Sequence, residues 1–291
     1  MKSTLLVLVA VFLNGAVLAE ESPCAGKQAS GYLEAGSKIY YEEGGSGAAL
    51  VLLHDGLLSS VTWDEVWQPL ATKYHVIRYD RRGYGHSELP TSPYSSTEDL
   101  VKLLTHLKVE HALVVGSSSG GAIAIDFALE HPQMVDGLFL IGPVLHGMPY
   151  SDDFLKRANR NNEPMQRDDI KAMASNWSQD RFLIAGANQG ARRKVYEHLV
   201  ANAEKVKFDN RFEEKLSPPA NQRLAEIKAP ALILVGEADI ADVRAHCDAI
   251  HAGIRDSTAA VVKEAGHLIQ LEKPAEVVKR LDAFTQRCQR K

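Results

Sequence analysis

Residues 113–121, Leu-Val-Val-Gly-Ser-Ser-Ser-Gly-Gly, constrain the fold of this chain more than any other stretch. The apolar run 111–115 suits a short buried strand. The largely apolar run 119–129 suits a buried helix that Pro132 ends. The chain must therefore pass from a strand to a helix through a very short turn.

The turn itself reads G-x-S-x-G around Ser118. Gly116 and Gly120 stand two residues before and after Ser118, where larger side chains would collide in so sharp a turn. Ser119 lacks this pattern, because Ser117 stands where the first glycine would be. Ser118 is therefore the candidate nucleophile. The alternative is an ordinary serine-rich turn that binds nothing or holds an anion at the helix N-terminus.

Strands and helices alternate along most of the chain. Residues 49–53 and 76–79 predict buried strands, and the helical pattern between them includes Trp63 and Trp67, both expected in the core. An opening hairpin and further strands are expected at residues 32–34, 39–42, 138–141, 231–235 and 259–263. This order predicts an α/β fold with a mostly parallel, eight-stranded sheet and helices on both faces.

The alternation stops between residues 145 and 216, where the sequence is charged and helical in pattern. This segment is too long for a simple crossover, so we interpret it as a helical cap inserted into a core of residues 20–144 and 217–291. Its apolar side chains are expected either to face the catalytic turn or only to bury the cap on the core. The predicted substrate pocket consists of Leu57, Met148, Trp177, Phe182 and Leu268.

Ser118, Asp239 and His267 each follow a predicted strand, in the chain order expected for a triad on such a sheet. The carboxyl ends of parallel strands gather at one edge, where ligands bind. A serine hydroxyl needs a neutral imidazole to take its proton, and the imidazole needs a carboxylate to fix its tautomer. The remaining alternatives are Glu237 as the acid and His54, His86 or His146 as the base.

Attack on a carbonyl places negative charge on its oxygen, which two backbone N–H groups should stabilise. Ser119 supplies one of them at the helix N-terminus, where the helix dipole also helps. The second is expected from the loop of residues 54–57. Gly56 is the predicted donor in that loop, and Leu57 is the alternative.

Five segments together resemble the α/β-hydrolase superfamily, and the resemblance covers nearly the whole chain. They are residues 52–56 (Leu-Leu-His-Asp-Gly), 80–87, 116–121, 236–239 and 266–268. The chain is similar to the capped single-domain branch of enol-lactone hydrolases, small carboxylesterases and cofactor-free haloperoxidase-like perhydrolases. This resemblance implies a capped α/β-hydrolase fold without a cofactor. Asp55 departs from the pattern, because glycine is common there in this branch.

The resemblance also separates related activities. Haloalkane dehalogenases and epoxide hydrolases of this fold carry an aspartate as the nucleophile. The serine at position 118 argues against both activities. Proline iminopeptidases carry a tryptophan where this chain has Ser119. No metal site is predicted, since His246, Cys247 and His251 share one helix but lack a tetrahedral set of ligands. These three residues are expected at the surface.

Residues 1–19 have the features of a secretory signal peptide: a basic start, an apolar stretch over residues 5–13, and a small-residue cleavage pattern ending at Ala19. An uncleaved membrane anchor is the alternative, but Asn14 and Gly15 interrupt the apolar run. We therefore expect a periplasmic or secreted protein with no stable membrane association after cleavage.

The formal net charge of −4 offers no electrostatic reason to bind nucleic acid. Two of Cys24, Cys247 and Cys288 could pair in an oxidising compartment, and the pairing stays open.

Together these features predict an exported serine hydrolase that cleaves a small ester or lactone through an acyl-enzyme. Two alternatives remain open. The first is a ligand sensor that keeps the triad with little turnover, and the second is perhydrolysis or carbon–carbon cleavage by the same residues. The oligomeric state is not predicted.

Overall fold

The computed structural model describes residues 28–186, 188–206 and 211–289. The predicted signal peptide and Cys24 lie outside the described residues. Within them, no helix is both long and apolar enough to cross a lipid bilayer.

One eight-stranded sheet forms the centre of the molecule, with the order β1-β2-β4-β3-β5-β6-β7-β8. The strands are β1 Ala29–Glu34, β2 Lys38–Gly44, β3 Ala49–Leu53, β4 His75–Tyr79, β5 Ala112–Ser117, β6 Val135–Ile141, β7 Ala231–Gly236 and β8 Ser257–Val262. The opening hairpin β1–β2 is antiparallel and joins β4 antiparallel, whereas all strands from β4 to β8 pair in parallel. The mostly parallel sheet predicted from the sequence is confirmed.

Helices cover both faces of this sheet. They are α1 Asp64–Ala71, α2 Ser96–His106, α3 Ser119–Glu130, α4 Asp152–Asn162, α5 Ile170–Gln179, α6 Gln189–Ala201, α7 Ala203–Val206, α8 Ala241–Gly253, α9 Ile269–Glu272 and α10 Pro274–Gln289. Alternate side chains of β3 enter opposite layers, because successive strand residues point to opposite faces. Leu52 joins the cluster that contains Trp63 and Trp67, and Val51 joins the cluster under α2 and α3. Both tryptophans are buried, as predicted.

Helices α4 to α7 lie between β6 and β7, and we refer to residues 145–216 as the helical segment. A third hydrophobic cluster attaches this segment to loops of the sheet. It combines Met173, Leu183 and Val195 of the segment with Leu58 and Leu268 from those loops. The segment therefore rests on the edge of the sheet where the strands β3, β5, β7 and β8 end.

The expected surface position of His246 and Cys247 is wrong. Both are buried on α8, on the helix face that also carries Val243 and Ile250. His246 Nδ1 accepts a hydrogen bond of 2.9 Å from the backbone N–H of Leu145, which satisfies this polar atom inside the protein. A polar residue at the right helical spacing is thus accommodated within the apolar face.

Candidate active site

Ser118 forms the turn between β5 and α3 with φ 53° and ψ −118°. A non-glycine residue in such a conformation costs about 1–3 kcal/mol and persists only where its surroundings hold it there. Here Ser118 N donates to Ile141 O at 2.9 Å, and Ser118 O accepts from Gly121 N at 2.9 Å and Val144 N at 3.2 Å. Backbone bonds to β6 and to the loop after it therefore hold the strained serine in place.

The two glycines of the motif allow the backbone to pack this closely. A Cβ atom on Gly116 would lie 2.5 Å from Gly120 O, and one on Gly120 would lie 2.4 Å from Leu53 O. These contacts involve main-chain atoms, which cannot rotate away as side chains do. The G-x-S-x-G pattern therefore reflects direct backbone contact between β3, β5 and α3.

His267 and Asp239 form a hydrogen-bonded pair at the same edge of the sheet. His267 Nδ1 donates to Asp239 Oδ2 at 2.8 Å, and the Asp239 side chain is only 1% exposed. The backbone N–H groups of His267 and Leu268 donate to Phe182 O and Leu183 O at 2.8 and 3.1 Å. The histidine loop is therefore tied to the helical segment, and the ring presents Nε2 as its proton acceptor.

The charge state of His267 reflects two opposing effects. Burial disfavours the charged ring and lowers its pKa, but the charge of Asp239 and its hydrogen bond, assisted by the charge of Asp55, outweigh burial. The pKa of His267 is therefore raised above the usual value of an imidazole. The environment of this ring is built to stabilise an imidazolium.

Ser118, Asp239 and His267 all line one cavity of about 300 Å³. The structure brings the three predicted residues together at this cavity. Within the described residues Ser118 Oγ makes no hydrogen bond to His267, so only the histidine–aspartate half of the predicted hydrogen-bond chain is formed. Catalytic contacts are often loose without substrate and tighten in the reactive complex.

The alternative acid and bases occupy other places. Glu237 is exposed, and its Oε2 accepts from Glu264 N at 3.0 Å. His146 Nδ1 lies 2.6 Å from Asp126 Oδ2, and His86 is exposed beside Asp80. Neither His86, His146 nor Glu237 lines the cavity that contains Ser118.

Asp55 organises the loop in which an oxyanion donor is predicted. Its Oδ1 accepts from the backbone N–H groups of Leu57 and Leu58, each at 2.8 Å. Leu57 N is thus engaged, whereas Gly56 N and Ser119 N have no acceptor among the described residues. Gly56 lies beside Ser119, since a Cβ atom on Gly56 would be 3.1 Å from Ser119 Oγ. The aspartate that departs from the family pattern therefore holds the loop in a turn.

Arg81 connects the two halves of the predicted oxyanion hole, a role that sequence reasoning missed. Its Nη2 donates to Asp55 O at 2.8 Å and to Ser119 Oγ at 2.9 Å. Its guanidinium also lies 4.7 Å from the ring of Tyr84. In the sequence, this position is marked only by a second arginine, because Arg81 stands between Asp80 and Arg82.

His54 belongs to the same brace. Arg81 N donates to His54 Nε2 at 3.0 Å, so His54 Nδ1 carries the proton and donates to Asp55 O at 2.7 Å. Burial, followed by the charge of Arg81, holds the pKa of His54 well below its usual value. This neutral histidine therefore supports the loop and has no free nitrogen to act as a base.

Gln270 links the histidine loop to the serine turn. It is fully buried, and its Nε2 donates to Thr62 Oγ1 at 2.8 Å and to Ser117 Oγ at 3.2 Å. The short helix α9 is thus bonded to the residue immediately before Ser118. Nothing in the local sequence around Gln270 indicated this contact.

Two of the five predicted pocket residues, Leu57 and Trp177, line the cavity. Met148 and Phe182 pack against the hydrophobic core, and Leu268 is fully buried in the third cluster, so none of these three lines it. The cavity lining also contains Phe154, for which the sequence left open a place in the pocket or only in the packing of the cap. Four further lining side chains were not expected there from the sequence, namely Tyr150, Arg157, His198 and Lys205. All five come from the helical segment, which carries no motif.

Among the described residues, no group of three or more histidine, cysteine, aspartate or glutamate side chains could hold a metal ion.

Comparison with known proteins places this geometry in a family. The model of the alpha/beta hydrolase family matches residues 50–280. The chain is 26% identical over 258 residues to the 2-hydroxy-6-oxo-6-phenylhexa-2,4-dienoate hydrolase of Comamonas testosteroni, covering 82% of this chain and 87% of that enzyme. An uncharacterised Mycobacterium tuberculosis protein is 39% identical over 100 residues, a match that spans 33% of this chain and 29% of that protein's length.

Solved structures give the same result. Est816, described as an N-acyl homoserine lactone degrading enzyme, is 28% identical with a TM-score of 0.70 over 87% of this chain and 100% of its own. A bromoperoxidase from Bacillus anthracis shares the fold, with a TM-score of 0.75, 23% identity, and coverage of 89% of this chain and 100% of its own. With its sheet, its serine turn and a family match over most of its length, the chain belongs to the alpha/beta hydrolase family.

Proposed function

We propose that this hydrolase is a serine hydrolase that cleaves a small ester or lactone through an acyl-enzyme. The observation that carries the proposal is the placement of Ser118, on a strained turn, at the cavity lined by the His267–Asp239 pair. The 28% identity to Est816, a lactone-degrading enzyme by its description, supports the substrate class. The cavity of about 300 Å³ is at the small end of ligand sites and suits a small substrate.

In the first half of the reaction Ser118 Oγ attacks the carbonyl carbon and forms the new C–O bond. His267 Nε2 takes the hydroxyl proton, and Asp239 stabilises the resulting imidazolium. The tetrahedral intermediate collapses when its bond to the leaving oxygen breaks. His267 returns the proton to that oxygen, so that an alcohol leaves, or the ring opens if the substrate is a lactone.

In the second half a water molecule attacks the acyl-enzyme and gives its proton to His267 Nε2. The ester bond to Ser118 then breaks, the acid leaves, and the proton returns to Ser118 Oγ. In both halves the N–H groups of Gly56 and Ser119 stabilise the charge on the carbonyl oxygen. Arg81 holds these two donors in register through Asp55 O and Ser119 Oγ.

Replacement of Ser118 tests the proposal directly. Ser118→Ala should lower turnover of a chromogenic short-chain ester by at least about 10⁴-fold and abolish covalent labelling by a fluorophosphonate, because no other hydroxyl has this position. Ser117→Ala is the matched control, because it removes the neighbouring hydroxyl, which accepts from Gln270. Gln270 keeps its shorter bond to Thr62, so this variant should keep the labelling and lose no more than about tenfold in turnover. Undiminished turnover in Ser118→Ala would overturn the proposal.

We also propose, from residues 1–19 alone, that the protein is exported. N-terminal sequencing of the protein secreted or released from the periplasm should begin at Glu20. A protein retained in the cytoplasm with Met1 intact would contradict this proposal.

A further inference from the structure

Arg157 is a buried cation in the wall of the catalytic cavity. It lies on α4, is 8% exposed, and lines the same cavity as Ser118 and His267. Its Nε donates to Asp180 Oδ2 at 2.8 Å, and the rings of Trp177 and Phe182 lie 5.2 and 5.6 Å from the guanidinium carbon. The guanidinium is therefore held in one orientation by an ion pair and two aromatic rings.

The terminal nitrogens of Arg157 are available to a ligand. Nε alone has a hydrogen-bond partner among the described residues. Nη1 and Nη2 have no partner among the described residues, and neither is fully enclosed by protein atoms. Both are therefore accessible. A guanidinium fork with its outer edge free is the geometry that binds a carboxylate through two parallel hydrogen bonds.

Asp180 does not use up the positive charge of Arg157. Burial raises the pKa of Asp180, but the hydrogen bond and charge of Arg157, together with Asn161, outweigh burial and lower it, so the carboxylate is ionised. Three further donors share this carboxylate: Asn161 Nδ2 at 2.7 Å, Phe182 N at 2.8 Å and Leu183 N at 3.3 Å. Asp180 therefore engages only the Nε edge of Arg157, and the N–H donors of the outer edge stay available to a second anion.

The charges exposed to the cavity are cationic. The two carboxylates in the wall are turned inward: Asp55 is 1% exposed and bonded to its own loop, and the Asp239 side chain is 1% exposed and paired with His267. Lys205 adds a second, half-buried cation at the cavity, where its Nζ donates to Ser87 O. An anionic group entering this cavity meets cations and no exposed carboxylate.

We propose that Arg157 binds a carboxylate of the substrate, so that the preferred substrate is an ester or lactone that carries a second, anionic group. This inference rests on the proposed function and names the substrate class of the same site. The scissile carbonyl sits at Ser118, and the carboxylate reaches the guanidinium across the cavity. Tyr150, Phe154 and Trp177 line the same cavity and offer apolar surface to the carbon chain that joins the two groups.

Arg157 also borders an outer depression beside α4, together with Lys156, Arg160, Asp153 and Asp242. That depression contains no nucleophile, so an anion bound there would not be turned over. Arg160 is exposed on the same helix and does not line the catalytic cavity. It is therefore the matched control for charge on α4.

The test compares two p-nitrophenyl esters with the same acyl chain, p-nitrophenyl hemiglutarate and its neutral methyl ester, by the release of p-nitrophenol. Wild-type protein should have the higher kcat/KM for the anionic ester. In Arg157→Met the ratio of kcat/KM, anionic over neutral, should fall about 10- to 100-fold, the range for a hydrogen bond to a charged group. Arg160→Gln should keep the wild-type ratio.

Two further variants make the result decisive. Arg157→Met combined with Asp180→Asn removes the unpaired buried carboxylate and should fold where the single variant does not, with the same loss of preference. Arg157→Lys should retain part of it. Equal kcat/KM for both esters in the wild type, or an unchanged ratio in folded Arg157→Met variants, would overturn the inference. Turnover of both esters by Ser118→Ala would instead overturn the proposed function.

Discussion

The cavity at Ser118 has two walls that are built in different ways. At the sheet edge Ser118, Gly56 and Asp239 are positioned by backbone contacts and by short loops directly after strands. In the helical segment Arg157 and Trp177 are positioned by contacts between side chains. The first wall leaves little choice of residue, because main-chain atoms meet there. In the second wall many residue types can be accommodated. The residues that carry out the reaction are therefore more restricted in type than those that contact the substrate.

The largest difference in stability should appear when one methyl group is added to a glycine at the sheet edge and to a glycine in the helical segment. Gly120→Ala places a Cβ atom 2.4 Å from Leu53 O and should lower the free energy of unfolding by about 3 kcal/mol, the upper end for overpacking, with loss of activity. Gly190→Ala in α6 meets no atom closer than 3.6 Å and should raise stability by about 0.5 kcal/mol. Urea unfolding of the two variants measures both values. Equal effects would remove the contrast.

Among the polar residues at the sheet edge, the largest loss of kcat is expected from the carboxylate behind His267. Asp239→Asn should lower kcat by about 10³- to 10⁴-fold, because the amide no longer stabilises the imidazolium or fixes its tautomer. The neighbouring Glu237→Gln should stay within twofold of wild type, since Glu237 bonds to Glu264 N at the surface. Steady-state kinetics on a chromogenic ester decides between the two acids. A larger loss in Glu237→Gln would reverse their roles.

The two adjacent arginines should separate catalysis from stability. Arg81→Met should lower kcat by about 10- to 100-fold with little change in KM, because Arg81 positions donors that act in the transition state. Its effect should be non-additive with Ser119→Ala.

Arg82 instead forms a buried pair with Asp99, so Arg82→Met should lower the free energy of unfolding by about 3–5 kcal/mol while the folded fraction keeps its kcat. A rise in KM with unchanged kcat in Arg81→Met would exclude the positioning role of Arg81.

The pH dependence should follow the raised pKa of His267. The ring must be neutral to accept a proton, so kcat/KM, which reports the protein without bound substrate, should fall about tenfold per unit as the pH drops below that pKa. Because Asp239 outweighs burial, the midpoint of this acid limb should lie above the 6.5 of an ordinary imidazole. In Asp239→Asn the midpoint of the residual activity should move down. A midpoint in wild type well below 6.5 would show that burial dominates.

The smallest effect is expected in the helical segment. Trp177→Ala should raise KM for a neutral ester about three- to tenfold and leave kcat nearly unchanged, since Trp177 lines the cavity but touches no reacting atom. Leu155→Ala is the control, because Leu155 is exposed on α4 and lies outside the cavity lining. A large loss of kcat in Trp177→Ala would place the helical segment in the chemistry itself.

The sequence by itself determined the elements whose geometry depends on neighbouring residues. Apolar runs specified the six strands from β3 to β8, and the two short strands on either side of Gly36 indicated the opening hairpin. Gly116 and Gly120 marked the turn at Ser118, because a strained turn admits few residue types. The strand ends likewise placed Asp239 and His267 at one edge.

Only the tertiary structure decided which distant side chains share a space. Arg81, Gln270 and Arg157 act through partners far along the chain, at Ser119, Thr62 and Asp180, and no local pattern records such contacts. For the same reason Phe182 and Leu268, expected in the pocket, pack elsewhere, whereas His246 is buried. Local sequence restricts the conformation of the backbone. The position of one cavity wall relative to the other depends on packing between distant segments, which no short stretch of sequence specifies.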